Sequence, residues 1–154
     1  MKHRSIAVLA GLVLGLGMTV AGEADFHNCG ICKPMMAEPS LMQNMKWDTQ
    51  SIATGMISIT TVSPSFEAAF EKAHAEMMAK IKQLEAGTEM ELCPFCQGMT
   101  KLAASGAKIE NLAGAGAHVT AVTSQDPAVI QQIHDHVKRV QQEFSKMKHP
   151  EHKG

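Results

Sequence analysis

Two short motifs recur in the same order along this chain, and that recurrence limits the fold more than any other feature. Residues 29–35 and 93–99 both read Cys-x-x-Cys-x-x-Met, and they lie 64 residues apart. Farther along, Ser63-Pro64 and Asp126-Pro127 lie 63 residues apart. Features that recur in one order at nearly one offset indicate an internal repeat. We therefore predict that the chain contains two related halves.

Each half, at 23–86 and 87–147, is predicted to fold as a helix, a β-hairpin and a second helix. The four predicted strands cover 46–51, 56–61, 108–112 and 118–124, and a short helix covers 97–105. Glycine-rich turns near Gly55 and at Gly114-Ala-Gly116 join the strands. Two hairpins make a four-stranded antiparallel sheet. The predicted fold is thus α+β, internally duplicated, with amphipathic helices covering the sheet.

The second helix of each half carries the clearest pattern. Ser63 and Asp126 are predicted to cap these helices, and a proline follows each of them at the first helical position. Their apolar stripes consist of Phe66, Phe70, Ala73, Met77, Ile81 and Leu84, and of Ile130, Ile133, Val137, Val140, Phe144 and Met147. His134 and His136 lie two residues apart on the later helix. We predict that both are solvated, because such positions cannot face one point.

The start of the chain is typical of an export signal. Lys2, His3 and Arg4 precede an uncharged apolar run at 6–20, and small residues end the run at Ala21. We predict a cleaved signal at 1–22 and hence a periplasmic or secreted protein. The mature chain is expected to have no stable membrane insertion. The sequence at 148–154 has no apolar pattern and is predicted to be a disordered tail.

Composition excludes several classes of function. The formal net charge of -1 gives no basic surface for a nucleic acid, so no nucleic-acid partner is predicted. An apolar fraction of 45% in 154 residues suits one ordinary globular domain rather than a disordered chain. We find no nucleophile triad, paired-carboxylate site or phosphate-binding loop. An enzymatic function is therefore uncertain from the sequence and less expected than binding.

The two cysteine motifs carry the chemistry. A Cys-x-x-Cys spacing lets both sulfur atoms face one point. Met35 and Met99 follow the second cysteine of each motif by one helical turn, where a thioether could join the same site. Thiolate with thioether is the donor set that selects Cu(I). The predicted metal ligands are Cys29, Cys32, Met35, Cys93, Cys96 and Met99.

Copper(I) is the first choice and zinc the second, because four thiolates from the two pairs would suit Zn(II). The predicted function is that of an exported Cu(I) chaperone or buffer, whose partner would be a protein that donates or accepts the metal. We expect the sulfur atoms of the two pairs to lie within about 10 Å of each other, close enough for side-chain rotation to form a shared site.

Two alternatives remain open. Cys93-Pro-Phe-Cys96 could belong to a thiol–disulfide oxidoreductase or electron carrier, because Pro94 indicates a helix start that lowers the pKa of the first thiol. The four cysteines could also form structural disulfides, or a zinc site that stabilises an interaction domain. Four cysteines allow three pairings, and the sequence does not choose among them.

Overall fold

The computed structural model describes residues 26–114 and 116–147. The predicted signal at 1–22, the predicted tail at 148–154 and Ala115 in the second turn lie outside these residues. Among the described helices, none combines the length and the hydropathy needed to cross a bilayer. The elements in chain order are α1 (Lys33–Met36), α2 (Pro39–Gln43), β1 (Met45–Ile52), β2 (Gly55–Val62), a 3-10 turn (Pro64–Phe66), α3 (Glu67–Glu85), α4 (Pro94–Ala104), β3 (Lys108–Gly114), β4 (Ala117–Thr123) and α5 (Pro127–Met147).

The four strands form one antiparallel sheet in the order β1-β2-β4-β3. The α+β class and the antiparallel sheet are therefore confirmed. Both ends of every predicted strand lie within two residues of the ends of the observed strand. The hairpins provide the outer pairs, and β2 pairs with β4 at the centre. The internal duplication and the covering of the sheet by helices stay predictions.

The two long helices begin differently. At α5, the carboxylate of Asp126 accepts a hydrogen bond of 2.8 Å from the Ala128 N–H, as predicted for a cap. The predicted cap at Ser63 is wrong, because its side chain makes no capping hydrogen bond. Its carbonyl instead accepts the Phe66 N–H at 2.8 Å, which closes the 3-10 turn before α3.

Two hydrophobic clusters join helices to the sheet. The first core cluster links α1, α2 and α3 to β1 and β2, through Met35, Leu41, Met45, Val62, Phe70 and Ala73. The second core cluster links α4 and α5 to β2 and β4, through Met56, Leu102, Val122, Val129, Ile133 and Val137. Both predicted helix stripes contribute to these clusters, and α5 also buries Val129, which lies outside its predicted stripe. The side chain of Met147, predicted as the last member of that stripe, lies outside the described part of the structure.

The prediction that His134 and His136 are solvated is wrong. Helix α5 contacts α4 as well as β1 and β2, so positions two residues apart both meet a neighbouring element. His134 is partly buried, and its Nε2 lies 2.9 Å from the carbonyl oxygen of Ile52. His136 is only 2% exposed, and its ring lies against Phe95 of α4, with the ring centroids 5.5 Å apart.

The close approach of α5 to α4 depends on Gly98. A Cβ atom at that position would overlap Nδ1 of His136. We expect Gly98→Ala to destabilise the protein by about 1–3 kcal/mol, the usual effect of overpacking a core. Urea unfolding followed by circular dichroism measures the difference. Gly114→Ala is the matched control, because a Cβ there meets nothing within 4 Å. Equal stability of the two variants would contradict the expectation.

Burial of His136 should make the protein sensitive to acid. Burial, aided by the charge of Arg139, lowers the pKa of His136 from 6.5 to about 4. Between these values the unfolded chain binds a proton that the folded chain does not. The stability present above pH 6.5 is therefore lost as the pH falls towards 4, by about 3 kcal/mol in total. Urea unfolding from pH 7 to pH 4 should show a smaller loss for His136→Leu than for the wild type. Parallel losses in the two proteins would rule out His136 as the cause.

Candidate metal centre

The second cysteine motif straddles the start of α4. Cys93 has extended backbone angles at the N-cap, and Pro94 occupies the first helical turn, where its missing N–H removes no helical hydrogen bond. The Gln97 N–H donates to the Cys93 carbonyl at 2.9 Å, which closes the first turn around the motif. Cys96 therefore lies nearly one turn after Cys93, and both cysteines are buried.

The first motif takes a different local form. Cys29 and Gly30 lie in a turn, and the Lys33 N–H donates to the Cys29 carbonyl at 3.0 Å. Helix α1 then begins after Cys32, so here the second cysteine of the motif precedes the helix. In the second motif the first cysteine does so. The two motifs thus present their sulfur atoms from unlike backbone positions.

One backbone hydrogen bond ties the two motifs together. The Gly30 N–H donates to the carbonyl of Glu91 at 2.7 Å, which places the turn of the first motif beside the segment leading into α4. The Sγ atom of Cys32 then lies 3.3 Å from that of Cys96 and 3.8 Å from that of Cys93. The prediction that the two pairs lie close together is confirmed.

All four sulfur atoms converge on one point. The Sγ atoms of Cys29, Cys32, Cys93 and Cys96 lie within 4.8 Å of one another, and all four residues are free thiols. A tetrahedral ion with metal–sulfur bonds of about 2.3 Å has sulfur atoms about 3.8 Å apart. The four cysteines can therefore hold one metal ion with small side-chain adjustments. Within residues 26–114 and 116–147, no other group of three or more His, Cys, Asp or Glu side chains meets at one point in this way.

The electrostatics of the thiols are uneven. Hydrogen bonds with Cys32 and then Cys96 hold the pKa of Cys93 far below its usual value of 9.0. The hydrogen bond with Cys93 and then that with Cys96, together with burial, raise the pKa of Cys32. The sequence predicted a lowered pKa for Cys93 from its place at the helix start. In the structure, neighbouring thiols are the larger cause.

The surroundings of the sulfur atoms are apolar. The cysteine cluster comprises the four cysteines and Ile31, and none of the five is more than 8% exposed. Partly buried apolar side chains from the turn, from α3, from the segment before α4 and from α4 itself pack against it: Phe26, Met77, Ile81, Leu84, Met90, Leu92 and Phe95. An apolar wall of this kind disfavours excess charge on the thiolates.

The two predicted thioether ligands pack with the core clusters, and their part in the site stays a prediction. Met35 is buried in the first core cluster, and Met99 packs against the second. Instead, Met77 of α3 and Met90 of the segment before α4 pack against the cysteine cluster. The sequence offered no signal for Met90, because it lies in a stretch without periodicity. Met77 was assigned to the core by its place in the α3 stripe, and it packs against both clusters.

No protein-family model, curated protein or solved structure matches this chain. The chemistry of the cysteine cluster therefore carries the functional conclusion.

The positions of these sulfur atoms predict which variants lose metal. Cys32→Ser should weaken metal binding by more than about 100-fold, beyond the effect of losing a group that only supports a ligand. Met35→Leu and Met99→Leu should bind as the wild type does, since both side chains pack in the core clusters. Chelator competition with detection by native mass spectrometry measures all three. A loss of metal from either methionine variant would contradict this expectation and would indicate that its thioether is a ligand.

Proposed function

We propose that this protein is an exported Cu(I)-binding protein, a chaperone or buffer, which holds the metal between its two Cys-x-x-Cys motifs. The observation that carries the proposal is the convergence of four buried sulfur atoms within 4.8 Å. Thiolates are soft ligands, and they select soft or borderline ions such as Cu(I) and Zn(II) over hard ones.

Charge favours Cu(I) over Zn(II) in these surroundings. Four thiolates around Zn(II) leave two uncompensated negative charges, whereas two thiolates around Cu(I) leave one. The buried, apolar wall of the cysteine cluster makes each extra charge costly. Zinc, held by four thiolates, is the second choice.

The thioethers beside the site also support Cu(I). Met77 and Met90 both pack against the cysteine cluster. Thioether sulfur binds Cu(I) and contributes little to Zn(II) sites. Copper(I) is thus the ion for which every sulfur atom near the site is a suitable donor.

The proposal includes an origin by duplication. Ile52 pairs with Gly55 and Gly114 pairs with Ala117, so a shift of 62 residues carries the register of one hairpin onto the other. The same shift relates Ser58 to Thr120, which pair with each other at the centre of the sheet. These registers support two related halves whose cysteine pairs meet in one shared site.

The proposed setting follows from the predicted signal at 1–22. In an exported protein, buried thiols with a bound metal are protected from the oxidising surroundings that convert free thiols to disulfides. A second protein that donates or accepts Cu(I) would be its partner.

Anaerobic titration of the reduced protein with Cu(I) and with Zn(II) tests the proposal. Chelators should compete at micromolar metal, and mass spectrometry under native conditions should count the bound ions. We expect the protein to retain Cu(I) and to release bound Zn(II) when Cu(I) is added. A Cys32→Ser/Cys96→Ser variant is the control for binding elsewhere. Retention of Zn(II) alone would replace copper by zinc, and retention of neither ion would end the metal proposal.

A redox function is the second candidate, and two observations favour it. Cys93 has a lowered pKa, and the Cys32 and Cys96 sulfur atoms lie only 3.3 Å apart. The burial of Cys93 argues against a redox function, because this residue is 4% exposed and an attacking thiolate must reach a substrate disulfide. Reductase activity on insulin, with a reduction potential above about −300 mV, would support this function. A lower potential without turnover would instead indicate structural disulfides.

A further inference from the structure

The cysteine cluster raises the question of how a metal ion reaches it. None of its four cysteines is more than 8% exposed. Most side chains that pack against the cluster are hydrocarbons, which offer no donor atom to an arriving ion. The exceptions are the thioethers of Met77 and Met90. Met77 extends from the middle of α3 and is shared with the first core cluster.

Met90 is the thioether that joins the cluster to the surface. It is partly buried, it packs against the cysteine cluster, and it also lines an open cleft of about 690 Å³. Met77 does not line that cleft. The other walls of the cleft come from the segment between α3 and α4, with Leu84 at the end of α3. The exposed carboxylates of Glu89 and Glu91 flank Met90 and make this rim attractive to a cation.

Gly30 allows Met90 to lie over the first motif. A Cβ atom on Gly30 would stand 3.0 Å from Cβ and 3.1 Å from Sδ of Met90. The Met90 side chain therefore lies directly over the glycine between Cys29 and Cys32. The Gly30 N–H bonded to the Glu91 carbonyl fixes the two backbones beside each other. A Cβ atom at position 30 would require the Met90 side chain to shift by a few tenths of an ångström.

We propose that Met90 is the capture ligand of this site: its thioether takes up a soft monovalent cation at the cleft and passes it to the buried thiolates beneath. The inference rests on the proposed function and adds the route by which the metal ion reaches the buried cysteines. A thioether is neutral, so it binds Cu(I) or Ag(I) weakly and releases the ion to a thiolate. Hard cations that do not bind sulfur gain nothing from this route.

Rapid mixing measures the proposed step. Reduced wild-type protein is mixed anaerobically with a coloured Cu(I) chelate, and the loss of chelate absorbance gives the rate of uptake. Equilibrium titration with the same chelate gives the affinity and the number of ions bound. Met90→Leu removes the thioether at similar volume, and Met42→Leu is the matched control, because its thioether packs against the first core cluster. Gly30→Ala keeps the thioether and displaces it.

We expect Met90→Leu and Gly30→Ala to take up Cu(I) about tenfold more slowly, the lower end of the effect of a group that supports a metal site. The Gly30→Ala/Met90→Leu double variant should take up Cu(I) no more slowly than Met90→Leu alone, because both changes act on one contact. All variants should bind as many ions as the wild type, and Met42→Leu should load at the wild-type rate. Wild-type rates in Met90→Leu, or equal slowing in Met42→Leu, would overturn the capture role. If the wild type retained no Cu(I), the proposed function itself would fail, which is a different result.

Discussion

The junction between the two cysteine motifs depends on the burial of their four sulfur atoms at one point. The turn that carries Cys29 lies outside the sheet, and a backbone hydrogen bond from Gly30 to Glu91 links it to the segment before α4. Such a bond contributes about 1 kcal/mol, whereas burying a side chain such as Ile31 contributes about 1.5–3 kcal/mol. Apolar burial therefore holds the motifs together, and the sulfur atoms meet because they lie inside it. A bound metal would add its own free energy to this junction.

Helix α3 connects this junction to the rest of the core. The early part of its apolar stripe, Phe70 and Ala73, belongs to the first core cluster, and Ile81 and Leu84 pack against the cysteine cluster. Met77 lies between them and packs against both. An unbranched, flexible side chain suits such a boundary, since it can adjust to either neighbour. The stripe that stabilises the sheet is thus continuous with the wall of the cysteine cluster, and a substitution in one should affect the other.

The sequence was informative wherever a period or a spacing decides the structure. Glycine-containing turns located the two hairpins, helical periodicity located the stripe from Phe70 to Leu84, and the repeated cysteine pairs predicted a shared site. It failed where tertiary contacts decide. Met99 lies three residues after Cys96, about 4.5 Å farther along the helix, and packs against the second core cluster. His136 is buried because two elements flank α5, and Met90 covers the first motif because Gly30 lacks a side chain. Neither contact corresponds to a periodic pattern in the sequence.

Burial and exchange make opposite demands on a protein that hands on a metal. The apolar wall protects thiolates from oxidants, but it also separates them from any partner. Both cysteine motifs lie in segments outside the sheet, and this placement bears on both demands. Cys29 lies in a turn and Cys93 follows an irregular segment, so separating them disrupts no part of the sheet. Local opening of such segments requires less free energy than global unfolding. Opening of these two segments would therefore leave the strand pairings of the sheet in place, as the proposed release of metal to a partner would require.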